Sequence, residues 1–324
     1  SFSARKVPIL WRPTVIMTFA SLRIGTRGSP LALAQTQIVR TKLAQAHGVS
    51  VENLPIEVIK TTGDQIQDRP LSEAGGKGLF TKELDSALLA NAIDLAVHSS
   101  KDLPTRLPSE IIIAGYLLRE DPRDAWISNS GQTLDQLAPG SIVGTASLRR
   151  AAQIKRRRPD LETTLLRGNV ETRLRKVREG EIDATLLAAA GLNRLGLKDH
   201  ITALLSLEDF PPAVGQGAIG VTCRSNDQAT RLALEPLMDE ATGYALMAER
   251  AFLTTLDGSC RTPIAGYAQV IGDELHFYGE VLKEDGSAFV FVRREGRALD
   301  ATKIGADAGH ELLLRLPQGV RGSL

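Results

Sequence analysis

Two apolar runs in this chain each end in a Gly-Thr turn and reopen as a helix, a repeat that narrows the possible folds more than any other feature. Leu22 to Gly25 reads as a strand and Gly25-Thr26-Arg27-Gly28-Ser29 as a turn. Ser29 then caps a helix with Pro30 at its first position and Leu31, Ala34 and Ile38 at helical spacing. The same order returns at Ser141 to Val143, Gly144-Thr145-Ala146-Ser147 and a helix opening with Leu148-Arg149-Arg150. Short apolar runs alternate with amphipathic stretches around both, the pattern of α/β architecture with largely parallel strands. Each opening aims free backbone N–H groups and a positive dipole end at whatever lies above the sheet. Ligands of open α/β sheets sit beyond the carboxyl ends of the strands, so the two turns are expected to face one another across a cleft.

Arg119 to Asp124 reads as a linker leaving the first domain and Phe210 to Gly217 as one returning to it, with Ala218 to Cys223 a buried strand beyond. After Glu240 the texture changes. A helix from Ala241 to Leu256 precedes alternating strands around Tyr267 to Val270, Leu275 to Val281 and Ala288 to Val292, and a last helix covers Ala301 to Leu314. The expected division is therefore 22–117 with 216–238 as domain one, 118–215 as domain two, and 239–324 as a smaller α+β domain three. Residues 1–21 are expected to be an extension outside the fold; Arg5, Lys6 and Arg12 without an acid leave a transit-peptide remnant as a second reading. Thr61 to Gly78 is too polar and Gly-rich for a packed element and is expected to be a lid or a disordered loop. Gly76-Lys77-Gly78 lacks the Ser/Thr of a phosphate loop.

Charge is distributed unevenly. Ser141 to Arg178 holds eleven Lys/Arg against three Asp/Glu in a chain whose net charge is only +1. Most of the surplus is arginine, whose planar fork grips carboxylate or phosphate with paired hydrogen bonds. Arg156, Arg157 and Arg158, a run ended by Pro159, read as a solvated helical face. Arg149, Arg150, Arg167 and Arg173 lie beside Gly, Ser or Asn turns and read as anion ligands. With aromatics at 4%, stacking platforms for single-stranded nucleic acid are few, which argues against a nucleic-acid partner. No apolar run approaches the roughly 20 residues needed to cross a bilayer. Cys223 and Cys260 do not make a secreted disulfide framework, so the cytoplasm is expected, without a membrane partner.

Ile93 to Val97 reads as a strand that delivers His98-Ser99-Ser100-Lys101-Asp102-Leu103-Pro104 to the sheet's carboxyl edge. Asp102, a carboxylate in an arginine-rich cleft, would stabilise a cation developing on a substrate nitrogen; equally, it could cap the turn before Pro104. His98 reads as a satisfied strand-end histidine, since no second His or Cys stands at metal-ligand spacing and no metal is expected. Cys223 ends an apolar run and reads as an inert core thiol. Cys260 lies in a Gly- and Pro-bracketed turn beside Arg261, which favours the thiolate, and without a nearby base it reads as a covalent anchor.

Nine ordered motifs tie these features together. They are Gly-Thr-Arg-Gly-Ser-Pro-Leu-Ala-Leu-Ala-Gln (25–35), Gly-Gly-Lys-Gly-Leu-Phe-Thr-Lys-Glu-Leu (75–84), Ala-Val-His-Ser-Ser-Lys-Asp-Leu-Pro (96–104) and Arg-Glu-Asp-Pro-Arg-Asp-Ala (119–125). Gly-Thr-Ala-Ser-Leu-Arg-Arg (144–150), Leu-Arg-Gly-Asn-Val-x-Thr-Arg-Leu (166–174) and Gly-Leu-x-Arg-Leu-Gly (191–196) follow. Pro-Ala-Val-Gly-Gln-Gly (212–217) and Gly-Ser-Cys (258–260) complete the set. From Leu22 onward the chain resembles the porphobilinogen deaminase (hydroxymethylbilane synthase) family. The resemblance implies two periplasmic-binding-protein-like α/β domains around a cleft plus a smaller α+β C-terminal domain. It also implies a transferase that adds four porphobilinogen units, with loss of ammonia, to a covalently held dipyrromethane cofactor, and a monomer whose partners are porphobilinogen and the growing oligopyrrole.

On that resemblance Asp102 is the catalytic aspartate and Cys260 carries the dipyrromethane through a thioether. Lys77, Ser99, Thr145, Ser147, Arg149, Arg150 and Arg167 are expected to hold the cofactor, and Arg27, Ser29, Arg173 and Arg194 the substrate. Gln216 falls in the returning linker. Ser100 stands where many members carry Met, and Arg261-Thr262 where others carry an apolar pair. A polyanion-binding protein without catalysis would use the same cleft and remains the competing expectation.

Overall fold

A computed structural model of the chain describes residues 21–66, 77–256, 262–318 and 320, with the Lys77 side chain excluded. The expected N-terminal extension, most of the loop within Thr61 to Gly78, and Cys260 lie outside the described residues. In chain order the first lobe contributes β1 (Ile24–Thr26), α1 (Pro30–His47), β2 (Ile56–Val58), α2 (Thr62–Gln65), α3 (Lys82–Leu89), β3 (Leu95–Ser99) and β4 (Ile111–Tyr116). The second contributes β5 (Asp124–Ser128), β6 (Ile142–Gly144), α4 (Leu148–Arg157), β7 (Glu162–Thr164), α5 (Val170–Arg178), β8 (Ala184–Ala188), α6 (Ala189–Arg194) and β9 (Ala203–Leu204). The chain then returns for β10 (Ile219–Arg224) and α7 (Gln228–Leu234), and ends in α8 (Glu240–Thr255), β11 (Ile264–Ile271), β12 (Glu274–Leu282), β13 (Phe289–Arg297) and α9 (Ala301–Leu314).

The first sheet runs β2-β1-β3-β10-β4 and the second β7-β6-β8-β5-β9. In each, three parallel strands are followed by an antiparallel one that the chain enters by crossing between lobes: β10 beside β3, β5 beside β8. The matched orders make the two lobes topological copies of one α/β unit. Leu95, Ala96 and Val97 on β3, and Val221 and Cys223 on β10, are buried, as strands covered on both faces require. Burial pushes the Cys223 thiol up to about 11, which leaves it inert at neutral pH.

The third sheet is an antiparallel β11-β12-β13 meander with α8 and α9 packed on one face. Phe252 of α8 meets Phe277 with ring centroids 5.0 Å apart. The two helices approach so closely at Gly305 that a Cβ there would sit 2.0 Å from the Ala248 carbonyl oxygen. Gly305→Ala is therefore expected to destabilise the protein by about 1–3 kcal/mol despite alanine's better helix propensity, read as a lowered denaturation midpoint.

Three domains meet on a buried polar seam. Glu249 of α8, fully buried, pairs with Arg119 of the outgoing linker and accepts from Gly215 N (2.8 Å) of the returning linker and from Ala268 N (2.8 Å) of β11. Arg119 Nε also donates to Gln216 O (2.9 Å). Arg156 corrects the expectation of a solvated arginine face, because it pairs with buried Glu280 of β12 at 3.1 Å and stacks over Phe289. Arg158 is drawn in as well, donating to Leu134 O and Leu137 O. Only the Arg157 side chain, 47% exposed, fits the expectation.

Candidate active site

A cavity of about 860 Å³ opens where the carboxyl ends of the two large sheets face each other. Both strand-turn-helix openings line it. After β1, Ser29 Oγ accepts from Ala32 N at 3.2 Å with Pro30 at the first helical position. After β6, Ser147 Oγ accepts from Arg150 N (3.3 Å), while Thr145 Oγ1 accepts from Ser147 N (3.1 Å) and shapes the turn from behind the lining. A third opening was not read from the sequence: Asn169 caps α5 by accepting from Thr172 N (2.9 Å), which brings Arg167 and Arg173 to the same space. Leu253, Thr262 and Ile264 of the third domain close one side, so the described residues on both flanks of the Cys260 segment reach the cavity.

β3 ends in a 3-10 turn, Ser100–Asp102, that presents Asp102 to the cavity with about a third of its side chain exposed. Arg27 Nη1 lies 4.0 Å from its carboxylate. Arg27 is held more tightly elsewhere: its Nε donates to both Asp64 oxygens at 3.2 Å, Nη2 pairs with the same carboxylate, and the guanidinium stacks over Phe80 at 4.2 Å. Asp64 belongs to α2, an element the sequence did not announce. The expectation of no packed element from Thr61 onward is corrected over Thr62–Gln65, where Thr61 Oγ1 accepts from Asp64 N and Gly63 leaves room for the Phe80 ring.

Among the described residues, seven cationic side chains line the cavity against three carboxylates. Beneath it, fully buried Asp124 at the start of β5 neutralises two of the cations. Arg149 Nη1 donates to it at 2.7 Å, and Arg150 donates through Nη2 (2.8 Å) and Nε (3.1 Å). Gln216 Nε2 adds a hydrogen bond at 2.9 Å. Burial opposes ionisation of Asp124, but the two guanidinium groups outweigh it and hold the carboxyl well below the usual range. Others are left uncompensated. Burial, then the neighbouring charge of Arg150, lowers Lys101 to about 8, and no described residue hydrogen-bonds its ammonium. Burial, then Arg150 and Arg167, lowers Arg173 to about 10; among the described residues its one hydrogen bond runs from Nε to Gly168 O (2.9 Å). Arg149 Nε is buried without a partner among the described residues. Crowded, poorly solvated cations with an orphaned donor are stabilised by a ligand that brings several negative charges. The donor set thus fits a polycarboxylate such as dipyrromethane.

Arg27, Ser29, Ser99, Asp102, Ser147, Arg149, Arg150, Arg167 and Arg173 all line this one space. Ser99 Oγ accepts from Gln35 Nε2 (2.9 Å). Arg194 stands apart from the expected ligand group: it donates to Gly217 O (2.8 Å) and Gln35 Oε1 (3.3 Å) at the lobe junction, outside the cavity lining. The Lys77 side chain and Cys260 lie outside the described residues. His98 is buried, bonded to Thr222 Oγ1 at 2.9 Å, and pushed down to about 4 by burial and then by Arg27, so it is neutral at physiological pH. Sequence reasoning missed Asp64, Lys101 and Asp124. A lone acid opening the apolar run Asp124-Ala125-Trp126-Ile127 was the available signal for the last of these.

The fold and the site define a two-lobed α/β protein built to hold a polyanionic small molecule across a cleft, with a third domain at its side. Residues 22–232 match the family model described as "Porphobilinogen deaminase, dipyromethane cofactor binding domain" and residues 244–314 match "Porphobilinogen deaminase, C-terminal domain". Porphobilinogen deaminases of Nitrobacter hamburgensis and Nitrobacter winogradskyi are each 56% identical over 289 residues, covering 89% of this chain and 92% of theirs. The chain belongs to the porphobilinogen deaminase family, enzymes of tetrapyrrole synthesis. Among solved structures, YhfZ from Shigella flexneri aligns over 73% of this chain and 97% of its own at 18% identity and a TM-score of 0.36, too loose a likeness to carry weight. Among the described residues, no helix is long and apolar enough to cross a membrane.

Proposed function

We propose that this protein condenses four porphobilinogen molecules head to tail, releasing one ammonia per unit, and that one water then cuts the tetrapyrrole from its primer as linear hydroxymethylbilane. The observation that carries the reading is one carboxylate, Asp102, facing a cluster of incompletely neutralised cations across a single cavity. When bound through Cys260, the dipyrromethane supplies a fixed primer on which the product grows. In each deamination the substrate's aminomethyl C–N bond breaks, ammonia leaves with the electron pair, and positive charge spreads to the pyrrole nitrogen. Asp102 stabilises that charge, and its effect is greatest in a site from which water is largely excluded. The carbon then bonds to the free ring position of the preceding unit, which gives up a proton.

Arg149, Arg150 and Arg167, with Lys77, Ser99, Thr145 and Ser147 in support, hold cofactor carboxylates; Arg27, Ser29 and Arg173 hold those of the substrate. Each charge-assisted pair contributes about 1.5–3 kcal/mol. Arg194 serves the same ligands indirectly, by fixing Gln35 beneath Ser99. We divide the molecule into 22–117 with 216–238, 118–215, and 239–324, and take it to act as a cytoplasmic monomer. Intact mass spectrometry tests the reading. The purified protein is expected to exceed its sequence mass by one dipyrromethane, and Cys260→Ser to lose that increment together with activity. A chain at bare sequence mass from a haem-competent host would instead favour a polyanion-binding protein.

A further inference from the structure

The Arg27–Asp64 pair differs from the pairs that Asp124 makes with Arg149 and Arg150. Asp124, which holds Arg149 and Arg150, is fully buried and lies beneath the cavity lining, whereas Asp64 lines the cavity itself with 30% of its side chain exposed. Its carboxylate takes the Nε and Nη2 edge of Arg27, the edge that binds a carboxylate in paired fashion, and leaves Nη1 facing Asp102 at 4.0 Å. Among the described residues, Asp64 is held through its carboxylate by Arg27 and by Thr61, which donates from Oγ1 at 2.6 Å and from its backbone N–H. Burial disfavours the charged form of Asp64, but the hydrogen bonds from Arg27 and Thr61 outweigh it and keep the carboxyl below its ordinary range. A charged carboxylate therefore already occupies the fork of a cleft arginine. Its perch is a single helical turn at the cavity wall.

We propose that Asp64 is a resident counter-ligand for Arg27: it occupies the guanidinium in the ligand-free cleft and is displaced by a carboxylate of the incoming substrate. The inference rests on the proposed porphobilinogen reading and adds a specificity element to it. A neutral or weakly anionic ring cannot replace the charge that Asp64 provides, so only a substrate that brings its own carboxylate to this position exchanges without loss. The exchange also reaches the second lobe. Ile66, the residue that ends α2, accepts from Arg167 Nη2 at 3.0 Å, so the turn that carries Asp64 is tied to an arginine across the cleft. Substrate arrival at Arg27 removes the tie through Asp64 and leaves the one to Arg167 in place.

Asp64→Asn keeps the shape and removes the competing charge. In holoenzyme of verified mass, KM for porphobilinogen is expected to fall at least threefold. Calorimetric titration of porphobilinogen into the Asp102→Asn holoenzyme is expected to show a matching gain in affinity when Asp64→Asn is added. The gain should vanish when Arg27 is also replaced by Leu, since there is then no fork to compete for. A KM and an affinity that stay level or worsen in Asp64→Asn, in a wild type that does make hydroxymethylbilane, overturn the counter-ligand role and assign Asp64 to holding Arg27 in place. A gain that persists in the Arg27→Leu background overturns it too. A wild type that does not turn over porphobilinogen overturns the reading of the whole site, and this inference with it.

Discussion

Asp102→Asn is expected to lower kcat by roughly 10²–10³-fold while KM changes by less than about threefold, the pattern of an interaction made only in the transition state. The amide matches the carboxylate in size, so the turn Ser100–Asp102 and the neighbouring Arg27 need not move. What is lost is the negative charge opposite a pyrrole nitrogen that becomes positive when ammonia leaves. The other acids among the described cavity-lining residues, Asp64 and Glu171, lie on α2 and α5 rather than on the turn that follows β3. Rapid-quench measurement of ammonia or product release reads the effect directly. A turnover number within tenfold of wild type would remove Asp102 from the chemistry.

The second large effect is on stability. Asp124→Leu leaves Arg149 and Arg150, each 5% exposed, buried without their shared carboxylate, and strips a hydrogen bond from Gln216. Breaking a buried pair by removing one partner costs about 3–5 kcal/mol, and the loss is expected as a lowered denaturant midpoint at neutral pH. The sign of its pH dependence follows from the lowered native value of Asp124. The carboxylate contributes fully above the unfolded aspartate value of about 3.9. That contribution fades as pH falls below this value toward the native one, so the gap between wild type and variant should narrow in acid. A loss under about 1 kcal/mol at neutral pH would mean that water or another acid takes over the two guanidinium groups.

The local elements could be read from the sequence because their signals are local. Ser29 and Ser147 cap as their positions next to Gly-Thr turns require, and the last helix spans the residues that its periodicity marks. The cleft arginines were legible for the same reason: Arg149, Arg150, Arg167 and Arg173 each lie beside a Gly, Ser or Asn turn. Their partners were not. Asp124 lies 25 positions before Arg149 and Glu280 lies 124 after Arg156, and nothing in either neighbourhood names the other. Arg156 looked solvated because a run of charge before Pro159 carries no mark of the sheet that packs on it. The polar, Gly-rich stretch after Thr61 hid a helical turn for a related reason. That turn is held by Thr61, Glu83 and Phe80 rather than by an apolar face of its own.

Glu249 binds the outgoing linker, the returning linker and the third sheet with one carboxylate. The two strands of chain that join the lobes are thus fastened side by side to a single helix of a domain that belongs to neither lobe. Any swing of one lobe against the other would turn about that helix as an axle, sweeping the cavity mouth widely while the third domain's rim stays nearly still. On the proposed attachment through Cys260, an arrangement of that kind lets the cleft breathe around a lengthening product without dragging on its anchor.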